Sequence, residues 1–468
     1  MNSIEKLLYL RGVAAEYFSY AGDRIHVAHE TRLRILGAMG YDLGDDRAVQ
    51  QAIYQIDALP WRSWLPEFSI SVLDEKQFFD VRVHPDQQYS DFSWRVTSGS
   101  GEACGGSLVP AHLEEVGEYY IEGIRYSAYR QPLPELEPGY YALKLSSGGT
   151  ELSTVLAVAP RRCVSASSEG KRLWGISCQL YTLRSRRNWG IGDFTDLLEL
   201  VGYAAATGMD LVGLNPMHAP NMAADDFSSP YSASDRRFLN PLYIDPEQVA
   251  EYHASDSVGT LTRSPGFVRK LASLRAAELV DYSGVAALKY WVFEAMFLCF
   301  LEVHLRRRSE RGKAFEEFVR RSAGLMQAFA EHEAQHSGLS VGCAQDPRFY
   351  QYLQWVAGEQ LAACQSLALE RGMRIGLLGD MAVGAARGGA EIASKPELFC
   401  DNAAIGAPPD QFTEEGQNWN LPALDPLALQ QDNYHHFIQL LRANMLHCGA
   451  LRIDHVMGLL RLWWCLPD

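Results

Sequence analysis

Four short apolar segments alternate with helical patterns, and this alternation constrains the fold more than any other feature of the sequence. The segments span residues 174–183, 209–215, 374–380 and 450–454. Residues 209–215 are rich in Val and Leu, as is typical of parallel strands that are buried on both faces. Residues 193–207 between the first two segments have the period of an amphipathic helix, with Asp193 as its cap. This order predicts a βαβ unit.

Long excursions separate the later strands. After residue 216, a polar loop at 221–240 is followed by helical patterns at 267–279, 285–308 and 315–336. Two further helices, at 349–371 and 433–447, precede the third and fourth strands. Four β/α repeats of this kind predict the first half of a (β/α)₈ barrel with large helical insertions. Such barrels keep their chemistry at the carboxyl ends of the strands.

Two modules precede these repeats. We predict a small helical module over residues 1–62, where Ala14, Tyr17 and Phe18 recur at helical spacing. Several short strand patterns separated by turn residues predict a β-sandwich over 63–160. A Ser-rich linker at 161–170 opens the third domain, 161–468.

Five aromatic residues of the predicted sandwich allow two interpretations. They are Trp94, Tyr119, Tyr120, Tyr140 and Tyr141. We interpret them as core and strand-face residues, and the alternative is that they stack on sugar rings.

Charge and cysteine content narrow the class of partner. The chain has 42 Lys and Arg residues against 57 Asp and Glu residues, a formal charge of −15. This excess of acid disfavours nucleic acid and anionic membranes as partners and is compatible with a neutral ligand. Nine scattered cysteines without a disulfide framework indicate a reducing compartment and are expected to be mostly buried. The N-terminus does not resemble a signal peptide, and residues 290–301 are too short and too charged to span a bilayer. We expect a cytoplasmic protein.

The last apolar segment carries two charges. Arg452 and Asp454 are two residues apart, so their side chains point to the same face of a strand. Charges within an apolar strand are tolerated when they are paired or functional. The segment alone leaves two interpretations open, a structural ion pair or a catalytic group.

Four polar clusters follow the predicted strands. They lie at 185–194, at 229–245, at 379–384 with continuations at 406–410 and 416–422, and at 451–455. In this order they resemble the amylomaltases, the 4-α-glucanotransferases of glycoside hydrolase family seventy-seven in the α-amylase clan. The resemblance extends over the chain from the helical module to the last residue. It implies a barrel enzyme, without cofactor or metal, that cuts an α-1,4-glucan and passes the glycosyl piece to another glucan.

The resemblance also assigns catalytic residues. Retaining glycosyl transfer needs a carboxylate nucleophile and a second carboxyl as acid/base. Asp454 matches the nucleophile of the family. Arg452 is expected to orient this carboxylate and to lower its pKa. Asp380 matches the acidic residue that supports the site after the third strand.

Three more residues are assigned to substrate binding. Tyr231 matches a tyrosine that stacks on sugar beside the cleavage point. Trp419 matches a tryptophan on the acceptor side, where an indole excludes competing water. His455 adjoins the nucleophile and is a candidate for substrate binding. Its place on the opposite strand face favours a structural role.

The sequence also departs from the family pattern. No Glu in residues 1–468 lies in a motif that matches the family acid/base, and the later sugar-gripping His–Asp pair is not found. We therefore expect a truncated or split amylomaltase that shows no disproportionation of maltotriose by itself. Two other functions stay open, a non-catalytic maltodextrin-binding fragment and an α-glucan hydrolase.

Overall fold

The N-terminal module combines helices with a small hairpin. The computed structural model describes residues 2–99, 101–165 and 172–467, so part of the predicted linker lies outside the described residues. The module contains α1 (Ser3–Leu10), β1 (Glu16–Phe18), β2 (Arg24–His26), α2 (His29–Ala38) and α3 (Asp46–Ile53). One π turn, Tyr54–Ala58, and one 3₁₀ turn, Leu59–Arg62, complete it.

One helix predicted in this module is wrong. Tyr17 and Phe18 lie on β1, which pairs antiparallel with β2. Gly22 adopts φ +88° in the connecting turn, and Arg24 donates to Glu16 across the strands at 2.6 Å. Three apolar residues are too short a pattern to distinguish a helix from a hairpin, and the turn and the ion pair select the hairpin.

The predicted β-sandwich is confirmed. One sheet has the strand order β3-β10-β9-β5-β6 and the other has the order β4-β8-β7. Trp94 and Tyr141 lie in the core between the sheets, whereas Tyr120 and Tyr140 are exposed and Tyr119 stacks on Trp61. The strands are β3 (Phe68–Val72), β4 (Phe78–Val83), β5 (Phe92–Ser98), β6 (Gly101–Leu108), β7 (Glu114–Ile121), β8 (Ile124–Pro132), β9 (Gly139–Ser147) and β10 (Thr150–Ala159).

A four-stranded parallel sheet organises the remainder of the chain. Its order is β11-β12-β15-β18, so each new strand is added on the same side. The helices α4 and α10 pack together on it, and α13 contacts β15 and β18. These elements are β11 (Gly175–Cys178), α4 (Phe194–Ala206), β12 (Leu211–Leu214), α10 (Pro347–Glu370), β15 (Gly376–Met381), α13 (His435–Met445) and β18 (Ala450–Ile453).

The excursion after β12 forms a hairpin followed by a helical layer. The apolar stretch 290–301, which is too short by itself to span a bilayer, belongs to a longer helix. Together with the π turn that follows it, α8 extends to Leu305 and is long and apolar enough to cross a membrane by length and composition. It is nevertheless mostly buried in the protein core, where Lys289 donates to the carbonyls of Leu242 and Ile244 at 2.7 and 2.6 Å. The elements are β13 (His218–Pro220), β14 (Ala233–Leu239), α5 (Ala250–Ala254), α6 (Asp256–Thr262), α7 (Pro265–Ala276), α8 (Tyr282–Phe300) and α9 (Glu310–His336).

A second small sheet, β17-β16-β19, lies between β15 and the N-terminal module. Ala38 and Met39 pack on its apolar cluster, and Tyr17 meets Trp463 edge to face at 4.9 Å. Arg11, almost fully buried, donates to Asp425 at 2.6 Å. The sheet and its neighbours are α11 (Ala390–Ser394), β16 (Phe399–Ala407), β17 (Gln417–Leu424), α12 (Pro426–Gln431) and β19 (Trp463–Cys465).

The cysteines differ in part from expectation. Cys343, Cys364 and Cys400 are buried, five others are half-buried and Cys163 is exposed.

We expect Arg11→Met to destabilise the protein by about 1.5–3 kcal/mol, because the half-buried carboxylate of Asp425 loses its charged partner and keeps the amides of Leu427 and Ala428. Urea unfolding followed by tryptophan fluorescence measures this loss. Lys144→Met is the matched control, since it breaks an exposed pair with Glu151 and should cost at most about 1 kcal/mol. Equal losses in the two variants would contradict the importance of the Arg11 contact.

Candidate active site

Arg452 joins two carboxylates at the carboxyl end of the parallel sheet. Asp380 on β15 and Arg452 on β18 are register partners. Arg452 Nη1 donates to both oxygens of Asp380, at 2.6 and 2.7 Å. Its Nη2 donates to Oδ1 of Asp454 at 2.5 Å. The predicted shared face of Arg452 and Asp454 is confirmed, although β18 ends one residue before Asp454.

The backbone brings these side chains together. A Cβ on Gly449 would lie 1.8 Å from the carbonyl oxygen of Ile375, so only glycine permits β18 to enter the sheet this closely. Beyond the end of β18, the amide of Asp454 donates to the carbonyl of Met381 at 3.1 Å. The parallel pairing therefore continues to Asp454 itself.

The environments of the two carboxylates differ. The Asp380 side chain is 7% exposed and that of Asp454 is 26% exposed. Burial, and then the charge of Asp454, raise the pKa of Asp380 above its ordinary value despite the opposing contacts with Arg452. The hydrogen bond to Asp380 raises the pKa of Arg452, which therefore stays a cation. Among the described residues, Oδ2 of Asp454 accepts no hydrogen bond, whereas Oδ1 accepts from Arg452.

Tyr231 lies close enough to Asp380, Arg452 and Asp454 for their charges to affect its pKa. Burial raises its pKa first, and the negative charges of Asp380 and Asp454 raise it further. Its side chain is 39% exposed. An aromatic ring that is half open to solvent beside two carboxylates can contact the apolar face of a polar ligand.

Trp419 and His455 pack against each other next to Asp454. Their rings meet edge to face with centroids 5.0 Å apart. His455 has φ +50°, so strand alternation does not determine where its side chain points. Burial lowers the pKa of His455 although Asp454 opposes this, which favours the neutral ring. Trp419 is half-buried on β17 and its indole N–H donates to Gln417 at 2.9 Å. The six residues singled out in the sequence thus lie in one region.

The polar cluster at 185–194 has a different role. Arg187 donates to three buried carboxylates, those of Asp193, Asp196 and Asp245, at 2.6 to 2.9 Å. Desolvation opposes the charge of Arg187, but these partners raise its pKa. The cluster ties the start of α4 to the turn after β14.

Sequence reasoning missed a set of buried polar residues behind β15. They are His218, Arg236, Glu391 and His436. One signal was available, since Asp235, Arg236 and Arg237 are three consecutive charges within a segment flanked by apolar residues. Within the described ranges, no group of three or more His, Cys, Asp or Glu side chains is arranged to hold a metal ion.

Comparison with known proteins matches this architecture to one family. The family described as 4-alpha-glucanotransferase matches residues 178–342 and 339–468, and the MalQ N-terminal beta sandwich domain matches 64–160. A 4-alpha-glucanotransferase of Haemophilus influenzae is 39% identical over 71% of this chain and 52% of its own length. One of Mycobacterium bovis is 30% identical over 100% of this chain and 67% of its own length.

Solved structures agree with the sequence matches. The crystal structure of amylomaltase from Corynebacterium glutamicum has a TM-score of 0.84 and 30% identity, covering 100% of this chain and 66% of the other. The chain therefore belongs to the 4-alpha-glucanotransferase family. It spans between about half and two thirds of the length of these relatives, 52% to 67%.

The raised pKa of Asp380 predicts a pH-dependent stability. In the window above the ordinary carboxyl pKa of about 4, the folded state binds more protons at Asp380 than the unfolded state does. The contribution of Asp380 to the unfolding free energy therefore falls as the pH rises from this value to the pKa of Asp380 in the folded protein. Asn cannot titrate, so we expect the stability of the wild type relative to Asp380→Asn to decrease with rising pH. Urea unfolding of both proteins between about pH 4 and 7 tests this, and a constant or increasing difference would contradict it.

Proposed function

We propose that this chain supplies the nucleophile and the acceptor-side wall of a retaining 4-α-glucanotransferase, built on the first half of a (β/α)₈ barrel. Its substrates are α-1,4-glucans such as maltodextrins, and its location is the cytoplasm. The observation that carries the proposal is the Asp380–Arg452–Asp454 arrangement at the carboxyl ends of adjacent parallel strands. Membership of the 4-alpha-glucanotransferase family supports it.

The reaction divides into two displacements. Asp454 attacks the anomeric carbon of the donor glucan, and the glycosidic oxygen leaves with a proton from an acid/base carboxyl, a role that we assign to no residue among 1–468. The resulting glycosyl ester is then attacked by an acceptor hydroxyl, whose proton returns to the acid/base. Arg452 orients the carboxylate of Asp454 through its Nη2 contact. Asp380 holds the other end of the guanidinium with both oxygens, which suits a support rather than a proton donor.

Tyr231 and Trp419 determine whether an acceptor sugar or water attacks the glycosyl ester. Tyr231 stacks on the donor sugar beside the cleaved bond. Trp419, fixed by Gln417 and by the ring of His455, covers the acceptor sugar. An acceptor that fills this space displaces water, so transfer prevails over hydrolysis.

We expect Asp454 to become covalently glycosylated by α-maltotriosyl fluoride. Fluoride leaves without a proton from a general acid, so this donor tests the nucleophile independently of the acid/base residue. Mass spectrometry of digested protein should place a maltotriosyl adduct on the peptide with Asp454, together with release of fluoride. Asp454→Asn should give neither.

Asp401→Asn is the control for this experiment. The carboxylate of Asp401 is exposed and pairs with Arg387 away from the sheet end. This variant should form the adduct at the wild-type rate. Saturable maltodextrin binding without adduct in the wild type would instead support a non-catalytic binding protein.

We expect Trp419→Ala to shift the fate of the glycosyl ester from transfer to hydrolysis. Losing an aromatic contact of about 0.5–1.5 kcal/mol weakens acceptor binding by roughly 2- to 10-fold. The measurement is the ratio of elongated maltodextrin to free maltotriose formed from the fluoride donor at increasing maltose. Trp291→Ala removes another half-exposed tryptophan, on α8, and should leave the ratio unchanged. An unchanged ratio in Trp419→Ala would remove the assignment to the acceptor side.

A further inference from the structure

A buried ion pair lies directly behind the end of β15. Arg236 on β14 and Glu391 on α11 are 3% and 0% exposed, and Arg236 Nη2 lies 2.5 Å from Glu391 Oε1. Glu391 also accepts the backbone amide of Arg236 at 2.9 Å, and Nε2 of His436 lies 3.0 Å from it. Burial alone would raise the pKa of Glu391, but the charge of Arg236 and the hydrogen bonds hold it well below its ordinary value.

Arg236 also holds the backbone that follows β15. Its Nη1 donates to the carbonyls of Ala382 and Val383, at 3.0 and 2.9 Å. The amide of Ala382 donates to Nε2 of His218 at 3.1 Å. Burial, followed by the charge of Arg236, lowers the pKa of His218 to about 3, so the ring is neutral and Nε2 is free to accept. Both polar groups of the Ala382 backbone are thereby fixed by side chains.

We call the contacts of Arg236 and His218 with the Ala382 and Val383 backbone the clamp. Only Met381 separates Ala382 from the contact with the candidate nucleophile, Asp454. Ala382 follows Met381, whose carbonyl accepts the backbone amide of Asp454 at 3.1 Å. Met381 in turn follows Asp380, which holds Arg452. A shift of the Met381–Ala382 peptide would therefore move both carboxylates of the site.

A second pair with nearly the same burial provides a contrast. Arg237, the next residue, pairs with buried Asp235 at 2.6 Å and donates to Ser394. Its side chain is 4% exposed, against 2% for Arg236. Arg237 makes no hydrogen bond to β15 or to the turn after it among the described residues. Replacing either arginine breaks a buried ion pair, but only replacing Arg236 removes contacts with the backbone after β15. Comparing the two variants therefore distinguishes these effects.

We propose that Arg236 is a positioning residue, which fixes the turn after β15 and through it sets the geometry of Asp380 and Asp454. A buried ion pair is weak evidence for stability, because desolvation offsets the attraction. The contacts of this pair with the Ala382 and Val383 carbonyls instead indicate a geometric role. The part of this proposal that concerns catalysis rests on the proposed function.

The test compares Arg236→Met with Arg237→Met. Displacing a reacting group by about 1 Å can cost on the order of 100-fold in rate. We expect Arg236→Met to slow adduct formation from α-maltotriosyl fluoride by about 10- to 100-fold, with a nearly unchanged concentration for half-saturation. Arg237→Met should stay within about 3-fold of the wild-type rate. Equal slowing in both variants, or none in Arg236→Met, would overturn the proposal.

Two further measurements keep the test decisive. If Arg236→Met does not fold, Arg236→Lys and Glu391→Gln replace it, and each should slow the adduct more than Arg237→Met does. Amide hydrogen exchange can be measured on a protein that has no activity. The exchange rates of the Ala382 and Asp454 amides should rise in the Arg236 variant and stay unchanged in the Arg237 variant. Absence of adduct in the wild type would refute the proposed function, whereas unchanged exchange in the Arg236 variant would refute the clamp.

Discussion

The guanidinium of Arg452, shared between Asp380 and Asp454, is the interaction on which the site depends. Two carboxylates at the ends of neighbouring strands repel one another, and burial of Asp380 increases the cost of its charge. One cation with contacts of 2.5 to 2.7 Å to both makes the arrangement tolerable. The parallel register makes it possible, because Asp380 and Arg452 face each other across β15 and β18. The arrangement of Asp380, Arg452 and Asp454 thus depends on the register between β15 and β18 as well as on the three side chains.

Support for this centre comes from both sides of the sheet end. Behind it, Arg236 and His218 fix the peptide groups that follow β15. In front, the β17-β16-β19 sheet carries Trp419 towards His455 and rests on the N-terminal module through Met39. The N-terminal module thus packs on the sheet that carries Trp419, although the two are far apart in the sequence.

Much of the fold could be predicted from sequence, because long periodic patterns dominate it. The sandwich, the helices of the insertion and the strands that carry Asp380 and Arg452 follow from such patterns. Short elements did not, since residues 16–18 fit a helix as well as a strand until their partner strand is known. The role of the buried Arg236 could not be predicted either, because the carbonyls that it contacts lie 146 and 147 positions away in the sequence. Conversely, the conspicuous cluster around Arg187 joins the start of α4 to the turn after β14.

The contact between Arg11 and Asp425 has a consequence for how such proteins can recombine. The two residues are 414 positions apart, yet the almost fully buried Arg11 donates to the half-buried Asp425. An N-terminal module exchanged between relatives therefore brings a cation that the segment before α12 must match. A chimaera that replaces one without the other loses this ion pair, so the N-terminal module and the segment before α12 should be exchanged together although a whole sandwich separates them in the chain.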